Sequence, residues 1–122
     1  MFFAGGLLYP LVSIRSTVMK NQEYYITITG IDYYGGHEMF RPGMSVRLRK
    51  EHDNSYDDEA IAVYSRKNCR LGYVANSVHT AARGTFSAGR LYDKFEEELN
   101  ARVLFVMHDA VIAETGQENG KG

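Results

Sequence analysis

The stretch "VRLRKEHDNSYDDEAIAVYSRKNCRLGYV", residues 46–74, contains three apolar runs separated by two polar turns. In the first run, Val46 and Leu48 fall on one face, whereas Arg47 and Arg49 fall nearer the other. This pattern is typical of an antiparallel strand with one face in water. The runs "AIAVYS" and "RLGYVA" are joined by the polar turn "RKN", which predicts a β-hairpin. The stretch therefore predicts three successive strands.

The same period-two alternation continues on both sides of this stretch. "YYITITGID" (24–32) predicts a first strand, and "NARVLFVMH" and "AVIAE" predict two more around a polar turn at His108. A short helix is expected to begin at Ser77 and end near Gly84 or Gly89, and "LYDKFEEE" predicts a second helical turn. Five or six strands with one or two short helices indicate a mainly β fold, a small barrel or a strongly bent sheet. The apolar phase of the strands predicts a core of Val46, Leu48, Ile61, Val63, Leu71, Val74, Val103, Phe105 and Ile112.

Length and composition narrow the class of protein. A chain of 122 residues is long enough for one domain with a real core and too short for a second lobe. The formal charge of -1 gives no overall attraction to nucleic acid, so an anion-binding surface would need local clustering of basic residues. Cys69 is the only cysteine, and no Cys/His pair has zinc-like spacing. We therefore expect no disulfide, no metal or other cofactor, and a cytoplasmic location.

The two ends of the chain differ in character from the middle. Residues 1–18 are mostly apolar, but the apolar run is shorter than the ~20 residues that cross a bilayer and lacks the basic leader of a signal peptide. Met19 begins a polar lead into the first strand, so this extension either comes from an upstream start codon or packs on the core. The polar, glycine-rich tail 116–122 is expected to fray. The predicted domain is 19–115, with no membrane anchor.

The turn between the first two strands of the opening stretch is dense in hydrogen-bonding groups, above all Asn54, Tyr56 and Asp57. Asn and Asp side chains can simply bend the backbone between two strands. Alternatively, the turn holds a ligand.

Enzymatic motifs give little support to a catalytic role. The chain has no Gly-x-Ser-x-Gly elbow, and "GIDYYGG" (30–36) lacks both the lysine of a phosphate-binding loop and the spacing of a dinucleotide-binding motif. The four histidines are scattered. An enzyme using His52 and Asp57 is the weakest of the functional alternatives, and we expect no enzymatic activity.

Two segments together resemble the HIRAN domain family: "GIDYYGG" and, after it, the stretch 46–74. The family pattern has a glycine and two aromatics, then Asn-Pro-Tyr-Asp-x-Asn-Ala-Ile-x-Val, then a Gly-Tyr-Val strand before a helix. The resemblance runs from about Tyr25 to Ala82. Within the family, the chain resembles the small stand-alone bacterial members. It implies an OB-like or SH3-like β-barrel. In members fused to Swi/Snf-type ATPases, it implies recognition of single-stranded DNA at a free 3′ end.

The resemblance also implies roles for individual residues. The first aromatic of the pair and the turn tyrosine would stack on the terminal bases, and the turn aspartate would take the 3′-hydroxyl. Aromatic faces accept any base, and a carboxylate accepts a hydroxyl proton but repels a phosphate. Four basic residues just before the turn form a stripe that could meet phosphates, although a solvated sheet face explains them equally well. They are Arg41, Arg47, Arg49 and Lys50. The predicted nucleic-acid-binding residues are Tyr33, Tyr34, Arg47, Arg49, Asn54, Tyr56 and Asp57.

This chain departs from the family pattern at three positions. Asp32 replaces a basic residue before the aromatic pair, Ser55 replaces the motif proline, and Glu59 replaces the later asparagine. Two of these changes add negative charge near the expected phosphate path. The principal prediction is a module that binds single-stranded DNA without chemistry. The alternative is a protein- or peptide-interaction module on the same barrel, because the same aromatic residues serve both purposes.

Overall fold

The computed structural model describes residues 23–116, and within this range six strands form one closed antiparallel barrel. The order around the barrel is β1-β4-β3-β2-β5-β6. The prediction of a mainly β barrel of five or six strands is confirmed. The expectations for residues 1–18 and 117–122 lie outside the described residues. The strands are β1 (Tyr25–Thr29), β2 (Ser45–Lys50), β3 (Ile61–Tyr64), β4 (Arg70–Val74), β5 (Glu98–Val106) and β6 (Val111–Thr115).

Strand β2 pairs on one side with β3, the central strand of the predicted three-strand unit, and on the other side with β5. Leu48 lies opposite Val63 on β3 and Leu99 on β5, so the apolar phase of each strand points into the barrel. Seven of the nine predicted core residues are buried: Val46, Leu48, Ile61, Val63, Leu71, Val74 and Val103. The outward phase of these same strands is the surface on which the candidate site is built.

The predictions for Phe105 and Ile112 are wrong. Phe105 is 63% exposed, and Ile112 is only half-buried. The β5–β6 register shifts between Val103 and Phe105, so a bulge reverses the inward phase along β5. On β6 the buried residues are Val111, Ala113 and Thr115, and Ile112 lies opposite Phe105 on the outer face. A run of three apolar residues cannot reveal its phase from sequence.

The first strand is shorter than predicted. It ends at Thr29, because Gly30 adopts a left-handed conformation (φ 69°) and starts a 3₁₀ helix over Ile31–Tyr34. Ile31 is buried and anchors this helix to the core. Gly35 closes the 3₁₀ helix, again at positive φ, with its amide bonded to the Ile31 carbonyl. A second 3₁₀ helix follows at His37–Met39.

The helix predicted from Ser77 is also wrong. The Ala81 amide donates to the Ser77 carbonyl (2.9 Å) and closes one turn, but the Ala82 amide donates instead to Thr27 Oγ1 (2.9 Å), so the turn does not propagate. The α-helix of the described chain, α1, spans Ala88–Tyr92. Its N-cap is Ser87, and only the first two residues of "LYDKFEEE" are helical. No helix within residues 23–116 is long and apolar enough to cross a membrane.

Candidate nucleic-acid interface

The turn after β2 is built by two short side chains. Asn54 Oδ1 accepts hydrogen bonds from the backbone amides of Tyr56 (2.8 Å) and Asp57 (2.9 Å). Asp57 Oδ1 in turn accepts one from the Glu59 amide (2.9 Å). These bonds are the local backbone-bending interactions typical of Asn and Asp. They also fix the backbone of Tyr56, whose side chain is 96% exposed. The turn therefore holds a bare aromatic ring in water.

Asp57 has a second partner far away in sequence. Asn76, two residues after β4, places its Nδ2 atom 3.3 Å from Asp57 Oδ2 and 3.5 Å from Oδ1. The Asp57 carboxylate is half-buried and keeps acceptor capacity, since a carboxylate offers about four lone-pair sites. This group can accept a hydroxyl proton from a ligand.

The predicted aromatic pair lies on the first 3₁₀ helix. Tyr33 is 86% exposed, whereas Tyr34 is half-buried. Their ring centroids are 6.5 Å apart in an edge-on arrangement. The tight 3₁₀ turn anchored by buried Ile31 directs one ring outward and the other towards Arg70, whose guanidinium lies 5.8 Å from the Tyr34 ring. Tyr33 and Tyr56 are thus both bare rings on fixed backbone.

A hydrogen-bonded cluster of Glu51, Tyr64, Arg70 and Tyr73, which we call the Arg70 network, lies between these two segments. Arg70 forms an ion pair with Glu51 (2.9 Å) and donates to the hydroxyls of Tyr73 (2.8 Å) and Tyr64 (3.1 Å). The Tyr73 hydroxyl donates to Glu51 Oε1 (2.8 Å). Its signal in the sequence is weak: polar and aromatic residues on the outward phase of β3 and β4.

The Arg70 network joins the aromatic pair to the turn. Glu51 Oε1 accepts a hydrogen bond from Asn54 Nδ2 (2.9 Å), and Asn54 holds the turn. At the other end Arg70 faces Tyr34. The two segments that carry the predicted site are therefore connected through Arg70, Tyr73 and Glu51.

The contacts within the Arg70 network favour the charged forms of Glu51 and Arg70 and the neutral form of Tyr73 at neutral pH. Burial raises the pKa of the Glu51 carboxyl, but hydrogen bonds from Asn54 and Tyr73 and the charge of Arg70 outweigh burial and lower it below the usual 4.5. Burial, together with the hydrogen bond to Glu51, raises the pKa of the Tyr73 hydroxyl well above its ordinary value. Burial lowers the pKa of Arg70, but hydrogen bonding to Tyr64 and Tyr34 and the nearby charges raise it overall. Glu51 is thus anionic, Arg70 cationic and Tyr73 neutral.

The predicted basic stripe is neutralised only in part. Arg49 Nε lies 2.9 Å from Glu98 Oε2, and Arg47 lies 4.0 Å from the other oxygen of the same carboxylate. Both arginines also donate to Asn68 in the β3–β4 turn, and Arg49 stacks on the Tyr64 ring at 4.4 Å. A groove of about 390 Å³ beside them mixes both charges, being lined by Arg49, Lys50, Glu51, His52, Asp53, Ala62, Tyr64 and Arg70. The stripe is present, but the carboxylate of Glu98 offsets part of its positive charge.

The residues of the enzyme alternative have separate partners. His52 Nε2 lies 2.7 Å from Glu97 Oε1, on the turn before β5. Asp57 contacts Asn76 and the Glu59 amide instead. The structure pairs neither residue as the other's base or orienting group.

Within residues 23–116, a closed six-strand barrel thus presents two exposed tyrosine rings, and Asn54 and Asp57 fix the turn that carries one of them. Its sequence matches the HIRAN domain over residues 21–95, and the chain belongs to that family. The fold is similar to the HIRAN domain of human HLTF, with a TM-score of 0.54 and 20% identity over 80% of this chain and 78% of that one. It is also similar to a protein from Lactobacillus plantarum, with a TM-score of 0.51 and 25% identity over 75% of this chain and 90% of that one. No curated protein matches the sequence.

Proposed function

We propose that this domain binds single-stranded DNA at a free 3′ end and performs no chemistry on it. The observation that carries the proposal is the Arg70 network. It connects the aromatic pair to the turn after β2 that Asn54 holds. Next to each end of the network is a bare ring, Tyr33 or Tyr56. Membership of the HIRAN family supports the same conclusion.

The two exposed tyrosines supply the base contacts. Burying a bare aromatic side chain against a base removes apolar surface from water and is tolerant of base identity, because every base has a π-face. Such stacking is worth ~1–3 kcal/mol per base. Since the turn and the 3₁₀ helix already hold the backbone of Tyr33 and Tyr56, little backbone entropy is lost on binding.

Asp57 supplies the selectivity for a free end. Its carboxylate can accept a hydrogen bond from a 3′-hydroxyl and repels a 3′-phosphate. Two unit charges 4 Å apart repel by about 1 kcal/mol even at the dielectric constant of water. We therefore expect the domain to prefer a 3′-hydroxyl end by at least roughly fivefold, since 1.4 kcal/mol corresponds to a factor of ten.

The test compares a short labelled oligonucleotide carrying a 3′-hydroxyl with the same strand carrying a 3′-phosphate, by fluorescence anisotropy at low salt. The variant Asp57→Asn keeps an oxygen for the Glu59 amide but removes the charge. We expect this variant to lose most of the preference between the two ends while it stays folded. Asp109→Asn, a change of the same charge in the exposed β5–β6 turn, is the matched control and should keep the preference. If the unaltered domain bound neither strand, or bound both equally, the proposal would be wrong.

A further inference from the structure

A second groove, of about 510 Å³, lies between the loop after β4 and the start of α1. Its volume is within the range of ligand pockets, ~300–1,000 Å³. The groove contains two cationic side chains and several hydroxyls, and no acidic residue lines it. The lining residues are Ser77, Val78, Ala81, Ala82, Arg83, Gly84, Thr85, Ser87 and Arg90. Its charge is therefore wholly positive, unlike that of the mixed groove beside Arg49.

The two cations of this groove are available to a ligand. Arg83 and Arg90 are exposed, and within residues 23–116 neither lies within 4.0 Å of a carboxylate oxygen. The Arg90 guanidinium stacks at 4.0 Å on the ring of Phe86, which packs on Tyr24. Stacking positions a guanidinium without neutralising it. By contrast, Arg47 shares Glu98 with its neighbour on β2.

This groove begins where the Asp57 site ends. Asn76 donates to Asp57 through Nδ2 and accepts a hydrogen bond from the Gly89 amide through Oδ1 (2.7 Å). Ser77, which follows Asn76, and Arg90, which follows Gly89, both line the groove. Glu59 also approaches Asn76, with Oε1 3.4 Å from Nδ2. The carboxylates of Asp57 and Glu59 thus lie at Asn76 and Gly89, and the unpaired cations Arg83 and Arg90 line the groove that follows.

We propose that this groove holds the sugar-phosphate backbone of the DNA strand on the 5′ side of its terminal nucleotide, with Arg83 and Arg90 each binding one internal phosphate. The inference rests on the proposed function, because it requires the 3′-hydroxyl to lie at Asp57. A phosphodiester is repelled by the carboxylates of Asp57 and Glu59 and attracted by the two arginines of the groove. The charge order therefore sets the polarity of the strand. Arg83 and Arg90 carry most of the salt dependence of binding.

The test measures the affinity of a ten-nucleotide strand with a 3′-hydroxyl between 50 and 300 mM salt. Each phosphate contact on single-stranded DNA contributes about −0.7 to the slope of log K against log salt, which corresponds to roughly fivefold in affinity at 0.1 M. We expect R83Q together with R90Q to make the slope less steep by about 1.4 and to weaken binding by roughly 25-fold at 0.1 M salt. The matched control, R66Q with R102Q, removes the same charge from two exposed arginines that neither line the groove nor belong to the basic stripe.

Several outcomes separate this inference from the proposed function. In the double variant the preference for a 3′-hydroxyl over a 3′-phosphate should remain, because Asp57 is intact. If the unaltered domain binds free 3′ ends but the double variant and its control show the same slope, the groove assignment is wrong and the proposed function stands. If the unaltered domain binds no DNA, both are wrong. Within residues 23–116, R83Q removes no side-chain hydrogen bond, ion pair or ring contact. Its slope, less steep by about 0.7, is therefore decisive even where loss of the Arg90–Phe86 stacking disturbs folding.

Discussion

Glu51 is the residue on which the connection between the two halves of the site depends, and Glu51→Gln tests it. All three of its side-chain partners are donors: Asn54, Tyr73 and Arg70. A glutamine at this position must therefore turn its own amide nitrogen towards a donor, so at least one hydrogen bond is lost and the charge of Arg70 loses its partner.

The magnitude follows from the burial of the pair. The side chains of Glu51 and Arg70 are 16% and 32% exposed, so solvent screens their interaction only in part. A hydrogen bond to a charged group contributes ~1.5–3 kcal/mol. With a discount for the exposed side of Arg70, we expect Glu51→Gln to lower the free energy of unfolding by about 2 kcal/mol, and the melting temperature by about 10 °C. Glu98→Gln, which removes an exposed partner of Arg49, should cost less than about 1 kcal/mol.

The pH dependence identifies the carboxylate as the cause. The folded protein lowers the pKa of Glu51 below 4.5, so the stability that this group contributes is fully present above pH 4.5 and is lost as pH falls through the folded-state pKa. The gap in melting temperature between the protein and Glu51→Gln should therefore be largest near pH 7 and narrow below pH 4.5. Thermal unfolding followed by circular dichroism between pH 3 and pH 7 measures this gap. A gap that is absent at pH 7, or constant across the range, would refute the role given to Glu51.

Two further predictions concern the exposed rings and the packing of β4. Tyr33→Ala and Tyr56→Ala should each weaken binding of a 3′-hydroxyl strand by ~1–3 kcal/mol without changing the melting temperature, whereas Phe105→Ala, an exposed aromatic on β5, should leave affinity unchanged. Unchanged affinity in both tyrosine variants would contradict the stacking role. Gly72→Ala should destabilise the fold by about 2 kcal/mol, because the added Cβ would lie 2.7 Å from the Thr29 carbonyl oxygen. Urea unfolding measures this loss. Full stability of the variant would show that β1 and β4 can separate at this position.

The strands of the opening stretch could be predicted because each carries its own evidence. Val46 and Leu48 alternate with arginines, so the phase of β2 is unambiguous, and the polar turn 66–68 marks the hairpin of β3 and β4. The phase of β5 could not be predicted beyond Val103, because the bulge that reverses it is a property of pairing with β6. Local alternation holds only as far as the register is regular.

The position of the helix was mispredicted, and the partner of the basic stripe was missed. Both errors arise, like that for β5, from contacts between residues far apart in sequence. Ser77 and Ser87 are equally good caps in sequence, and the choice between them depends on Thr27, which takes the Ala82 amide from more than fifty residues away. Likewise, Arg49 appears free in sequence, and its partner Glu98 lies across the β2–β5 pairing. The partners of polar groups are set by tertiary structure. A single sequence therefore gives the candidates for a site but not their charge balance.

The three departures from the family pattern alter the charge of the site more than its scaffold. Ser55 in place of proline leaves the turn intact, because Asn54 supplies two hydrogen bonds to the backbone beyond it. Glu59 lies beside Asn76 and adds a negative charge near Asp57. Under the proposed function, we expect a second carboxylate there to lower affinity for any strand and to disfavour a terminal phosphate further. Contacts to other phosphates of the strand would offset this loss of affinity. Among the described residues, the unpaired charges of Arg83 and Arg90 lie where an internal phosphate could recover it.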